Sequence, residues 1–254
     1  MSARLALMAG NWKMHKTVPE ALALAGALRL ALAERPAACE VVVAPPYTAL
    51  HAVGEALRGS GIQLAAQNVY FEKEGAFTGE VSPRMLRDAG CSHVILGHSE
   101  RRHFFGETDD DVGRKARAAL DNGLLQIACV GETLDERDSD RTMSVVEREV
   151  ERALRQLSPD EAARSVIAYE PLWAIGTGRA ATPEQAQEVH AAIRRLVSVS
   201  HGEAVAAALR ILYGGSVKPD NVAALMTQHD IDGALVGGAC LEADSFLRII
   251  RYPS

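Results

Sequence analysis

The chain has 254 residues, 48% hydrophobic and 24% charged, a usage that excludes a disordered composition and supplies enough apolar side chain to bury a core. Its formal net charge of -6 excludes the basic face with which nucleic-acid binders neutralise phosphates, so an anionic ligand must be held by local groups. The longest apolar run, residues 21–28, falls well short of the roughly 18 residues of a membrane span, and residues 5–9 are too few for a secretory core. A cytoplasmic protein is expected, with Cys39, Cys91, Cys129 and Cys240 as reduced thiols, since no C-x-x-C pair is present.

Short runs rich in β-branched and apolar residues recur at 5–9, 41–44, 62–66, 93–96, 125–130, 166–169, 211–213 and 234–236. Several are apolar without alternation, as in Cys39-Glu40-Val41-Val42-Val43-Ala44, the pattern of a strand covered on both faces in a parallel sheet. Helical patterns lie between them. Val146, Val150, Leu154 and Leu157 make one apolar stripe, with Glu147, Arg148, Glu151 and Arg152 on the other sides. Thr182-Pro183-Glu184-Gln185 reads as an N-cap, a first-turn proline and a capping-box Gln, opening a helix that carries Val189, Ile193, Leu196 and Val197 on one face. Strand and helix alternate with no linker or composition break, so residues 1–254 are expected to form one domain. Eight such units suit a closed α/β fold, a single (β/α)8 barrel, better than an open doubly wound sheet.

In such a barrel the loops after strand C-termini face the ligand. After the first strand comes Asn11-Trp12-Lys13; after the fourth, Gly97-His98-Ser99-Glu100; after the seventh, Tyr213-Gly214-Gly215-Ser216; after the eighth, Gly237-Gly238. The two glycine pairs, each read as preceding a helix, offer backbone N–H groups and a dipole end to a phosphate dianion. Ser216 and Gly176 could add donors, and Lys13 is the only cation in these motifs. Taken alone, the same glycines are ordinary turn formers.

Glu170 closes the apolar sixth run, where solvent screening is poor, which suits a general base; a solvated strand-end Glu is the plainer alternative. The segment that follows reads as a lid. Pro171 fixes one hinge, Gly176-Thr177-Gly178 loosens the other, and Trp173 and Ile175 put apolar bulk into the span Leu172-Trp173-Ala174-Ile175. His98 could be structural, a ligand or an acid-base group. If Ser99 opens a short helix, its positive dipole end keeps the imidazole neutral and able to donate to a substrate oxygen. Strand alternation puts His93 and His98 on opposite sheet faces, and with no H-E-x-x-H motif or Cys/His cluster no metal is expected. Gly176-Thr177-Gly178-Arg179-Ala180-Ala181 matches G-x-G-x-x-A only formally, because no strand precedes it and the downstream acid is missing. No G-x-x-x-x-G-K-[ST] occurs either, so no cofactor is expected.

On Asn11-Trp12-Lys13-Met14, Ala66-Gln67-Asn68, Gly97-His98-Ser99-Glu100-Arg101-Arg102, Cys129-Val130-Gly131-Glu132-Thr133, the stretch from Ala168 through Glu170 to Gly178, and Tyr213-Gly214-Gly215-Ser216, the chain resembles the triosephosphate isomerase family over nearly its whole length. The resemblance implies cofactor-free interconversion of dihydroxyacetone phosphate and D-glyceraldehyde 3-phosphate through an enediolate. It makes Glu170 the base and neutral His98 the electrophile, with Asn11 and Lys13 stabilising charge on the substrate oxygens and Glu100 orienting Lys13. It also implies a homodimer in which the loop Glu74-Gly75-Ala76-Phe77-Thr78-Gly79-Glu80 enters the neighbouring subunit; a local surface turn is the alternative. Departures are small: Leu172 and Arg179 replace a common Val and Lys, and Cys240 stands where Ser is frequent. An accessible Cys240 thiol would make the enzyme oxidant-sensitive. Two other readings stay open: another phosphate-binding barrel isomerase, and a catalytically silent barrel acting as an assembly partner.

Overall fold

Strands that are apolar on both faces need cover on both, and this chain supplies it by closing the sheet on itself inside a ring of helices. In a computed structural model, which describes residues 4–174 and 181–252, the strands are β1 (Leu7–Asn11), β2 (Glu40–Ala44), β3 (Gln63–Ala66), β4 (His93–Leu96), β5 (Leu125–Val130), β6 (Val166–Tyr169), β7 (Arg210–Tyr213) and β8 (Gly233–Val236). All pair in parallel in chain order, and β1 also pairs with β8, so the barrel is closed. The fold is the expected (β/α)8 barrel. Inside it, side chains such as Leu7, Val42, Ile95, Ile127, Val166, Leu212 and Leu235 pack as one cluster, while the alternate strand residues, Met8, Val43, Val94 and Ile167 among them, pack with the helices.

The first strand is displaced from its expected place by two residues. Leu5 is 58% exposed, and the ladder begins at Leu7, opposite both Glu40 and Gly233. Gly233 fixes that register: a Cβ there would lie 1.9 Å from the Leu7 carbonyl oxygen, so only glycine lets the two strands meet. The shift brings polar Asn11 to the end of β1, where it is buried.

The helix Pro183–His201 begins as read, with the Gln185 N–H donating to Thr182 Oγ1 at 3.2 Å and the Thr182 N–H donating to Gln185 Oε1 at 3.0 Å. It buries Val189, Ile193 and Val197, leaving Leu196 half-buried. The helix Thr142–Leu154 buries Val146, Val150 and Leu154, and with them Glu149; Leu157 is buried just past its end.

Polar side chains sit at the strand N-termini. The ring of His93 lies 3.6 Å from Glu40, which also pairs with Arg210, and Asp232 accepts from Arg4, Arg194 and the Ile211 N–H. His93 and His98 are thus separated by the length of β4, not by sheet face, because alternation ends at Gly97, whose φ of 65° turns the chain before His98.

Candidate active site

Asn11 and Lys13 leave β1 in a tight turn, with the Lys13 N–H donating to Asn11 Oδ1 at 3.0 Å. Lys13 takes a φ of 52°, a left-handed conformation costly for a side chain with a Cβ. Two groups hold it there. Gln67 Nε2 donates to the Lys13 and Ala44 carbonyls, each at 2.8 Å, and Lys13 Nζ donates to Glu100 Oε1 at 2.6 Å.

Gly97 turns β4 into the helix Ser99–Phe105, and His98 is its N-cap. The Glu100 N–H donates to His98 Nδ1 at 3.2 Å, so this nitrogen bears a lone pair and the ring proton of a neutral imidazole belongs on Nε2. Nε2 lies 3.1 Å from Glu170 Oε1, and the Ser99 N–H donates to Glu170 Oε2 at 2.9 Å. Glu170 is only 2% exposed. Its room comes from a neighbour: a Cβ on Gly214 would lie 2.7 Å from Glu170 Cγ, and one on Gly215 would lie 2.2 Å from the Tyr213 hydroxyl. Tyr213 itself is buried, and burial pushes its hydroxyl up to about 12.

These side chains open on one cavity of about 570 Å³, lined by Asn11, Lys13, His98, Glu170, Gly214, Gly215, Ser216, Gly237 and Gly238. The strands thus bring the expected catalytic and glycine-rich motifs to the same end of the barrel. Lys13 is the cation that the motifs supply; Lys218 and Arg248, from outside them, also line the cavity, with Asp220 beside them. A helix follows each glycine pair, as expected: Val222–Met226 after Gly214-Gly215, and the 3-10 turn Gly238–Leu241 leading into the helix Ala243–Ile250 after Gly237.

Of the expected lid, Pro171, Leu172, Trp173 and Ala174 are described, whereas Ile175, Gly176, Thr177 and Gly178 lie outside the described residues. The described part of this segment is clamped by Glu132, a fully buried residue. Its side chain accepts from the Tyr169 hydroxyl at 3.1 Å, Trp173 Nε1 at 2.9 Å and Arg137 at 2.9 Å, while its carbonyl accepts from the Leu172 N–H at 3.1 Å. The Arg137 guanidinium also stacks 4.7 Å over the Trp173 ring. Sequence reasoning gave neither Glu132 nor Gln67 a role, although both follow strand ends, the signal that marked Glu170.

Cys240 is buried, with Sγ donating weakly to the Asn11 carbonyl at 3.5 Å, and burial pushes its thiol up to about 12. The accessibility on which oxidant sensitivity depended is therefore missing. Phe77, Thr78 and Gly79 sit on an exposed loop, where Phe77 keeps 39% of its surface open and its ring lies 4.7 Å from Tyr70.

Residues 6–253 match the family model described as Triosephosphate isomerase. Among similar proteins, the triosephosphate isomerase of Pelobacter propionicus is 59% identical over 249 residues, covering 98% of this chain and 99% of the relative. That of Chloroflexus aurantiacus is 56% identical with the same coverage, and that of a Roseiflexus species is 55% identical over 98% of both chains.

Proposed function

The chain belongs to the triosephosphate isomerase family, aldose-ketose isomerases of triose phosphates, and we propose how its own side chains divide that reaction. The substrate's phosphate is held by the amides around Ser216, Gly237 and Gly238, joined by Gly176 from the lid, so that its carbonyl end reaches Glu170 and His98. Glu170 takes a proton from the carbon beside the carbonyl and returns it to the neighbouring carbon. The enediolate between these steps carries negative charge on oxygen, and donors aimed at that charge bind it more tightly than they bind the ground state. His98 Nε2–H is one such donor and relays protons between the two oxygens; the Lys13 ammonium and the Asn11 amide are the others. Glu100 orients Lys13, and Ser99, Tyr213, Gly214 and Gly215 support the frame.

Before it can act, Glu170 has to give up the Ser99 amide, a 2.9 Å bond, and turn into the cavity. Closure of residues 171–178 would then exclude water from the enediolate and guard it against loss of phosphate. The single observation carrying this reading is the approach of His98 Nε2 to Glu170 at 3.1 Å, with Asn11 and Lys13 lining the same cavity. A coupled assay with each triose phosphate tests it. Glu170→Asp, which draws the carboxylate back by about 1 Å, is expected to lower kcat roughly 10²-fold; an undiminished rate would remove Glu170 from the role of base.

The chain acts as one catalytic domain in the cytoplasm and as a homodimer. Exposed Met14, Tyr47, Phe77 and Phe105 support the second subunit's place, since they leave apolar surface at the loops after β1 to β4. Light scattering is expected to give twice the chain mass of 27.2 kDa, and a value of one chain mass would rule the dimer out.

A further inference from the structure

Behind His98 and Glu170, away from the cavity, lies a buried charged pair that the mechanism leaves unused. Arg102, in the helix Ser99–Phe105, has a side chain only 16% exposed. Its Nε donates to the Gly97 carbonyl at 2.8 Å and its Nη2 to the Cys129 carbonyl at 3.4 Å. One guanidinium thus ties the peptide just before His98 to the end of β5. Asp109 anchors the other side of the fork at 2.5 Å, and Glu149 lies 3.6 Å from it. Glu149 Oε2 in turn accepts from the Gly131 N–H at 2.8 Å. Gly131 lies against the base's own backbone: a Cβ there would be 1.8 Å from the Glu170 carbonyl oxygen, and the Glu170 N–H donates to the neighbouring Val130 carbonyl at 2.7 Å.

We propose that Arg102 and Glu149 are positioning residues that brace the two backbone segments carrying His98 and Glu170, and so set the separation of imidazole and carboxylate from behind the site. A pair that served only stability would need no such targets. Here the Arg102 fork takes the carbonyl next to His98 and the Cys129 carbonyl near the end of β5, and Glu149 takes the N–H of the glycine packed against Glu170. The planar fork of arginine suits the task, because it reaches two carbonyls and a carboxylate at once, which an ammonium on a flexible stem cannot do.

The inference rests on the roles given above to His98 and Glu170, so the test measures Glu170→Asp alongside the brace variants. Arg102→Lys keeps the charge and loses the fork; Glu149→Leu fills the space and loses the acceptor. Each is expected to lower kcat by about tenfold with KM held within about twofold, as a displacement of the reacting groups well under 1 Å would. Glu149→Gln keeps an oxygen for the Gly131 N–H and is expected to recover most of kcat. Arg117→Ala, which breaks a distant pair with Glu161, supplies the stability control: it should lower the melting temperature and leave kcat alone. If Arg102→Lys and Glu149→Leu instead melt early but turn over at the wild-type rate, the brace is structural and the proposal is overturned. Should Glu149→Leu fail to fold, Arg102→Lys decides alone. An undiminished Glu170→Asp would mark failure of the underlying base assignment, which the brace variants do not test.

Discussion

Gly214 illustrates how a residue's reason can differ from the one its sequence offers. A Gly-Gly pair after a strand reads as turn chemistry and exposed amides, yet Gly214 is absent from the positive-φ glycines, so its conformation is open to other residues. What excludes them is space: the 2.7 Å approach of a Cβ to Glu170 Cγ, with the Tyr169 carbonyl oxygen 3.1 Å away. Gly214→Ala is therefore expected to fold, to shift the carboxylate, and to lower kcat at least about tenfold, by the same sensitivity to sub-ångström misplacement. Steady-state kinetics on the folded variant would decide it, and an unchanged kcat would show that Glu170 has slack. Glu170, His98 and Lys13 were legible because charged or titratable groups at the ends of apolar runs break the pattern. The spatial demand on Gly214 was not, since its partner lies a strand away, just past β6, and proximity across a barrel leaves no trace in a local window.

The same contrast holds for whole elements. The bounds of β4, β5 and β6 could be read directly, because each is an apolar run stopped by a change of residue type. β1 could not, since Leu5 looks like strand and its exclusion depends on where β8 begins. The helices expected behind the glycine pairs are present, but where they start could not be read, as residues 216–221 form a loop before the first of them. The segment just after β6 is tied to an acid that no local pattern flags. Glu132 is fully buried and its carboxylate receives three side-chain donors. Removing a buried acceptor strands its donors, at about 1–3 kcal/mol for each neutral one and more for a charged one. Glu132→Leu is therefore expected to lower unfolding free energy by about 3–5 kcal/mol. A urea midpoint equal to that of the wild type would show that Tyr169, Trp173 and Arg137 find other partners.

For the molecule as a whole, buried titratable groups set how stability follows pH. Burial pushes His93 and His190 down from 6.5 to about 4, and pushes Glu149 up from 4.5 to about 7. From pH 6.5 down to 4 the unfolded chain binds protons that the two folded imidazoles refuse, so each withdraws about 1.4 kcal/mol of stability per pH unit as the medium is acidified. Glu149 acts with the opposite sign: between pH 7 and 4.5 the folded state holds a proton that the unfolded state has released, so acidification favours folding there. Between 6.5 and 4.5 one imidazole's effect is offset and the net loss is about 1.4 kcal/mol per unit; below 4.5 that offset ends and the decline steepens. Urea unfolding at pH 6.5, 5.5, 4.5 and 4 is expected to trace this bend. A stability independent of pH across that range would mean that His93 and His190 titrate in the folded protein as they do in the unfolded one.

The seam between β1 and β8 also sets an order in time. During synthesis β1 emerges early and can find β2 on one side, while its other edge stays bare until the stretch around Gly233 has been made. Asp232, which grips Arg4 across that seam and the Ile211 amide of β7 on its other side, arrives at the same moment. For most of its time on the ribosome the nascent chain is an open curl whose bare edge can recruit a strand from another chain. Crowding of half-made copies is thus the hazard that this architecture carries, and it ends only once β8 has been made.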